Sequence, residues 1–168
     1  MSVEVGKVIQ KFPYFKPYLD FALLPNCNAF YLNPLLLRAG SRVDLHIDQS
    51  LRSYCKTVEP PAFVSVLYVP VSEDMQGGEL VLKSQKRQVG QIKPQTNCLI
   101  YFQGDLTYSV NAVTTVGNRL SLVCEQYSLS EDELEEIPQF TLESRVNQGN
   151  GKKQREVKQT QLDLFDHE

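Results

Sequence analysis

The sequence predicts a mainly β protein, an all-β sandwich or barrel, and three observations lead there. Between Phe30 and Tyr127, eight short runs rich in Val, Leu, Tyr and Phe follow one another: FYLNPLLL, VDLHI, AFVSVLYV, ELVL, QVGQI, CLIYF, YSVNAV and RLSLVCEQY. Gly, Pro and Asn punctuate them, the pattern of short strands joined by turns. The last run alternates, with Leu120, Leu122 and Cys124 on one face and Arg119, Ser121 and Val123 on the other. A chain of 168 residues, 42% hydrophobic and 22% charged, is long enough for one core and too short for two comfortable ones.

In chain order, the first segment, KFPYFKPYLDFALLP, mixes aromatics with Lys and Pro. It predicts short helices broken at Pro13 and Pro17 that support something larger. The eight strands follow. Gly77 and Gly78 in GGEL suit a tight turn with positive φ. Ser130 and Glu133 have capping-box spacing at the start of a short acidic helix, and Pro138 supplies its stop. The folded domain is expected over residues 1–142, with its motif-bearing core at 30–128. Residues 143–160 hold almost no large apolar side chain and predict a disordered linker. Leu162, Leu164 and Phe165 then reappear in the closing segment 161–168, which suits a docking peptide better than a core.

The net charge of −3 provides no global basic field, so direct nucleic-acid binding is not expected. No stretch approaches the roughly 20 apolar residues of a membrane helix, and the N-terminus lacks a signal-peptide layout. The chain therefore reads as cytoplasmic. Cys27, Cys55, Cys98 and Cys124 are widely spaced without a CxxC pair, which fits buried reduced thiols rather than a zinc or redox site.

Chemistry concentrates in VDLHIDQ. Side chains two apart on a strand share a face, so His46 and Asp48 project together at its end. An imidazole and a carboxylate suit Fe(II), and a facial triad built on them leaves positions open for a cosubstrate and O₂. The plainer reading is a surface histidine beside an aspartate. The only other histidine, His167, lies one residue from the C-terminal end. An inward Arg119 on a barrel strand is an expensive charge unless an anion or a protein carboxylate pairs with it.

The ordered series LLLRAGSRVDLHIDQS, PPAFVSVLYVP, GGELVL, IKPQTNCLIYF, SVNAV and GNRLSLVCEQYSL resembles the prolyl-4-hydroxylase-like branch of the Fe(II)/2-oxoglutarate-dependent dioxygenases. The resemblance implies a double-stranded β-helix, a jelly-roll or cupin-like barrel with the metal at its mouth. It implies an oxidoreductase that hydroxylates a small-molecule or peptidyl substrate with Fe(II), 2-oxoglutarate and O₂, with ascorbate as a reductant. His46 and Asp48 match the first two metal ligands, and Arg119 matches the arginine that pairs with the distal carboxylate of 2-oxoglutarate. The family's second metal histidine falls on Tyr108. Three outcomes stay open: Tyr108 ligates as a phenolate, His46 and Asp48 hold iron weakly with water, or the domain has lost its metal. Asp105 is near enough in sequence to bend toward the site, though a loop aspartate is more often a turn former. A return of His167 to the barrel would cost the ordering of its linker.

Finally, Gln161, Leu162, Asp163, Leu164 and Phe165 form QLDLF, which looks like the pentapeptide by which bacterial replication and repair proteins dock on the β sliding clamp. The alternative to an oxygenase is thus a metal-deficient jelly-roll adaptor acting through this tail. A C-terminal segment that packs on its own domain is the plainer reading of the same residues.

Overall fold

The computed structural model describes residues 3–144 and 156–158. The eight predicted runs form strands β1 (Ala29–Arg38), β2 (Val43–His46), β3 (Phe63–Val71), β4 (Leu80–Ser84), β5 (Arg87–Ile92), β6 (Cys98–Gln103), β7 (Thr107–Val110) and β8 (Asn118–Tyr127). They make two four-stranded antiparallel sheets, ordered β1-β8-β3-β6 and β2-β7-β4-β5. This is a jelly roll.

The main core lies between the sheets. Val64, Val66 and Tyr68 of β3, Phe102 of β6 and Val123 of β8 meet Leu80 and Leu82 of β4 and Tyr108 and Val110 of β7. β8 is central in its sheet, and its second face is also covered. There Leu122 and Cys124 pack against Val5, Tyr18, Leu19 and Ala22 of two N-terminal helices, α1 (Val3–Lys11) and α2 (Lys16–Ala22). Each fully buried large aliphatic side chain in this layer stabilises by about 1.5–3 kcal/mol. The alternation read in RLSLVCEQY therefore corresponds to a real division, one face to the barrel and the other to the helices. Pro34, which lacks an N–H, sits in β1 at the edge of its sheet, where the missing donor costs least.

Three expectations differ from the structure. Pro17 does not break a helix but opens α2 in its first turn, where a fixed φ and an absent N–H are tolerated. The run YSVNAV leaves the ladder after Val110, and Val113 keeps only an isolated bridge to Gly77. Within the span read as a disordered linker, Glu156–Lys158 (β10) pairs antiparallel with Leu142–Ser144 (β9), so regular backbone continues past 142. Residues 145–155 and the QLDLF segment with His167 lie outside the described residues.

Ser130 caps α3 (Glu131–Glu136) in the predicted box: Glu133 N–H donates to the Ser130 hydroxyl at 3.3 Å, and Ser130 N–H donates back to the Glu133 carboxylate at 3.0 Å. All four cysteines are free; Cys55 and Cys124 are buried and the other two half-buried. No described helix is long and apolar enough to cross a membrane.

Candidate active site

The antiparallel register of β2 and β7 sets His46 directly opposite Tyr108, with ring centroids 4.3 Å apart. Asp48 lies two residues past the end of β2. The Tyr108 hydroxyl donates to its carboxylate oxygens at 2.9 and 3.1 Å, and His46 Nε2 is 3.3 Å from Oδ1. The structure thus brings His46, Asp48 and Tyr108 together. His46 Nδ1 lies 2.8 Å from the Asp44 carbonyl. When Nδ1 donates there, the Nε2 lone pair is left facing the aspartate, which is how metal-binding imidazoles are commonly fixed.

Electrostatics define the protonation states. The hydrogen bond to Asp48 raises His46 above its ordinary 6.5, against a smaller opposing effect of burial. Burial first, and then the Asp48 charge, pushes Tyr108 far above an ordinary phenol. Tyr108 is therefore a neutral donor, and a phenolate would need a cation close by to displace its proton. Among the described residues, no group of three or more His, Cys, Asp and Glu side chains is arranged to hold a metal. Any third protein ligand beside His46 and Asp48 has to be of another type, which the Tyr108 oxygen is.

Arg119, 1% exposed, projects from β8 into the barrel. Its Nη1 donates to the Gly78 carbonyl, its guanidinium lies 4.8 Å from the centroid of the Tyr68 ring, and Nε has no hydrogen-bond partner. Among the described residues no carboxylate pairs with it, so the protein-carboxylate partner weighed from sequence is not found. The Tyr68 hydroxyl is likewise buried and unpartnered. Two buried donors without partners thus lie on adjacent strands, β8 and β3. Gly77 and Gly78, at φ +80° and +72°, bring the backbone over Arg119. A Cβ on Gly77 would stand 2.0 Å from the Ala112 carbonyl oxygen, so close approach as well as turn geometry requires glycine there.

Sequence reasoning missed Tyr68 and Glu125. Both were within reach of the alternation rule, since Tyr68 shares parity with Val64 and Val66, and Glu125 shares parity with Arg119 and Val123. Glu125 is 3% exposed and accepts from Ser50 N–H at 3.0 Å, from the Ser50 hydroxyl at 2.6 Å and from the Tyr127 hydroxyl. Burial and the neighbouring Asp48 raise its pKa. Asp105 takes no part in the site. It lies in the turn between β6 and β7, lining a shallow cavity of about 300 Å³ with Pro60, Pro61, Phe63 and Gly104.

No protein-family model matches this sequence, and no curated protein matches it. Solved structures do. An oxidoreductase of the 2OG-Fe(II) oxygenase family from Burkholderia pseudomallei matches with a TM-score of 0.50 at 16% identity, over 75% of this chain and 55% of that one. The chain shares its jelly-roll fold with this oxygenase. Also similar are a Pseudomonas putida prolyl-4-hydroxylase (TM-score 0.47, 19% identity, 68% of this chain and 60% of that) and IDO from Bacillus thuringiensis (0.43, 14%, 71% and 55%). The chain spans little more than half the length of the solved structures it matches.

Proposed function

We propose that the chain is an Fe(II)/2-oxoglutarate-dependent oxygenase with an unusual third ligand position. One observation supports this above the rest: two groups of side chains, one suited to a cation and one to an anion, meet the same core between the sheets. The first is His46, Asp48 and Tyr108. The second is Arg119 with Tyr68, which shares the core between the sheets with Tyr108.

The donor set fits the group. Two donors bound side by side to a cation at about 2.1 Å stand about 3 Å apart. The 3.3 Å and 3.1 Å spacings of His46 Nε2 and the Tyr108 oxygen from the same Asp48 oxygen, Oδ1, are close to that. His46 and Asp48 would hold Fe(II), and the Tyr108 oxygen would complete their face. When bound, Fe(II) with 2-oxoglutarate and O₂ supplies the oxidising equivalent that puts oxygen into a substrate C–H bond. The remaining work belongs to this chain. Arg119 and Tyr68 would orient the cosubstrate by its distal carboxylate through charge-assisted hydrogen bonds. Asp48 accepts the hydrogen bond of the Tyr108 hydroxyl in the metal-free state and must release it when a cation arrives. Packing of Phe102 edge-on against Tyr108, centroids 5.3 Å apart, keeps water from the phenol.

Anaerobic titration with Fe(II) and 2-oxoglutarate tests the reading. A weak visible charge-transfer band is expected. Its absence in the parent, with a band appearing in Tyr108→His, would show that the native site does not form the chelate and would favour the adaptor role. Strong visible absorption with Fe(III), lost in Tyr108→Phe, identifies phenolate ligation. For the tail, we propose docking on a β sliding clamp through Gln161–Phe165; a chain truncated after Thr160 should lose clamp binding, and undiminished binding refutes it.

A further inference from the structure

We infer that Glu125 is a positioning residue, which through Ser50 fixes Asp48 in the cation seat; the inference rests on the reading of His46 and Asp48 as metal ligands. β2 is the edge strand of its sheet, so past His46 the chain has no ladder on either side. Asp48 therefore hangs on a short segment anchored by β2 at one end. Its other end is held at Ser50, the first residue of a short 3₁₀ turn, Ser50–Ser53.

That second anchor comes from the opposite sheet. The two Glu125 oxygens receive two donors of one residue, the Ser50 amide and the Ser50 hydroxyl, and Tyr127 supplies a third. A bidentate grip fixes orientation as well as distance, and the acceptor's charge strengthens each bond. The turn itself is internally braced: the Ser53 hydroxyl donates to the Ser50 carbonyl at 2.7 Å, and Leu51 is buried against Cys55, Val58 and Tyr127. Pull on Ser50 is thus transmitted to Asp48 two residues away rather than absorbed by the turn. A carboxylate 3% exposed with all of its partners in this cluster has no other visible task.

The full-length chain, its Glu125→Gln variant and its Ser50→Ala variant are compared in two measurements. Glutamine keeps the volume but turns an NH₂ toward a donor, so the grip fails at one oxygen; Ser50→Ala removes only the hydroxyl and covers the case in which Glu125→Gln does not fold. Hydrogen exchange of segment 47–53 should accelerate in both, more in Glu125→Gln, while β3 and β8 stay protected. The dissociation constant for Co(II), used in place of iron, should rise about 10- to 100-fold in Glu125→Gln. Unchanged exchange in 47–53 overturns the tether. Faster exchange with unchanged Co(II) affinity overturns the positioning role. A parent chain that takes up no Co(II) refutes the metal reading and with it that role, and the exchange data then decide separately whether Glu125 holds the turn.

Discussion

Replacing Arg119 with methionine should leave the ligand-free protein slightly more stable while abolishing its response to 2-oxoglutarate. The magnitude follows from the three things the guanidinium does. Losing its charge-assisted bond to the Gly78 carbonyl costs about 2 kcal/mol, and losing the contact with the Tyr68 ring costs about 1 kcal/mol. Against these stands relief from a buried cation with no carboxylate partner, of order 4 kcal/mol. An unbranched methionine fills much of the same space. The balance is a gain of about 1 kcal/mol. Urea unfolding followed by circular dichroism measures it, which suits a chain without tryptophan. With 2-oxoglutarate at a hundred times its dissociation constant, the parent should gain about 2.7 kcal/mol and the variant none. A loss of about 2 kcal/mol or more without ligand would show that Arg119 is fully partnered, and the reasoning would fall. Retained stabilisation by the ligand would place the anion elsewhere.

Three further outcomes are expected. Tyr108→Phe should destabilise the metal-free protein by about 1–3 kcal/mol in urea, because a buried hydroxyl bonded to a carboxylate is lost; a neutral result would mean the bond to Asp48 is not made. His46, raised by its bond to Asp48, should stabilise the metal-free fold fully below the unfolded value of about 6.5, and that contribution should fade as pH rises through the higher folded value. The fall in stability as pH rises above about 6.5 should shrink in His46→Asn, and NMR titration of the imidazole should show the raised midpoint. Gly77→Ala should cost clearly more than Gly40→Ala: both glycines have φ +80°, but only Gly77 faces a carbonyl oxygen at 2.0 Å, while Gly40 faces open space. Equal losses in thermal melts would mean that conformation alone matters.

Local patterns made much of this legible. Runs of β-branched and aromatic residues between turn formers located the eight strands of the two main sheets, because strand formation is a local preference that alternation sharpens, but not β9 and β10. The parity of Arg119 with Val123 follows from the two-residue period alone, whereas Asp48 lies past the end of β2, where that period no longer holds. Contacts between distant segments were not legible. Nothing in VDLHIDQS says that Ser50 will meet Glu125, 75 residues on, because that contact depends on which strands share a sheet. Tyr68 sits among core residues of β3, and only its buried, unpartnered hydroxyl, a property of the fold, sets it apart. Pro17 was misread for a different reason: proline halts a helix it falls within and starts one it precedes, and the sequence alone did not fix where α2 began.

The proposed cation and anion seats lie on opposite sheets, which has a further consequence. A cosubstrate gripped by Arg119 on β8 and by a cation on the β2–β7 side would act as a rivet through the barrel. Loading would then secure the whole molecule rather than one loop, and the unloaded protein would open to proteases more often. In a cell its lifetime would rise and fall with the supply of metal and 2-oxoglutarate, so that abundance itself records whether the ingredients for its chemistry are at hand.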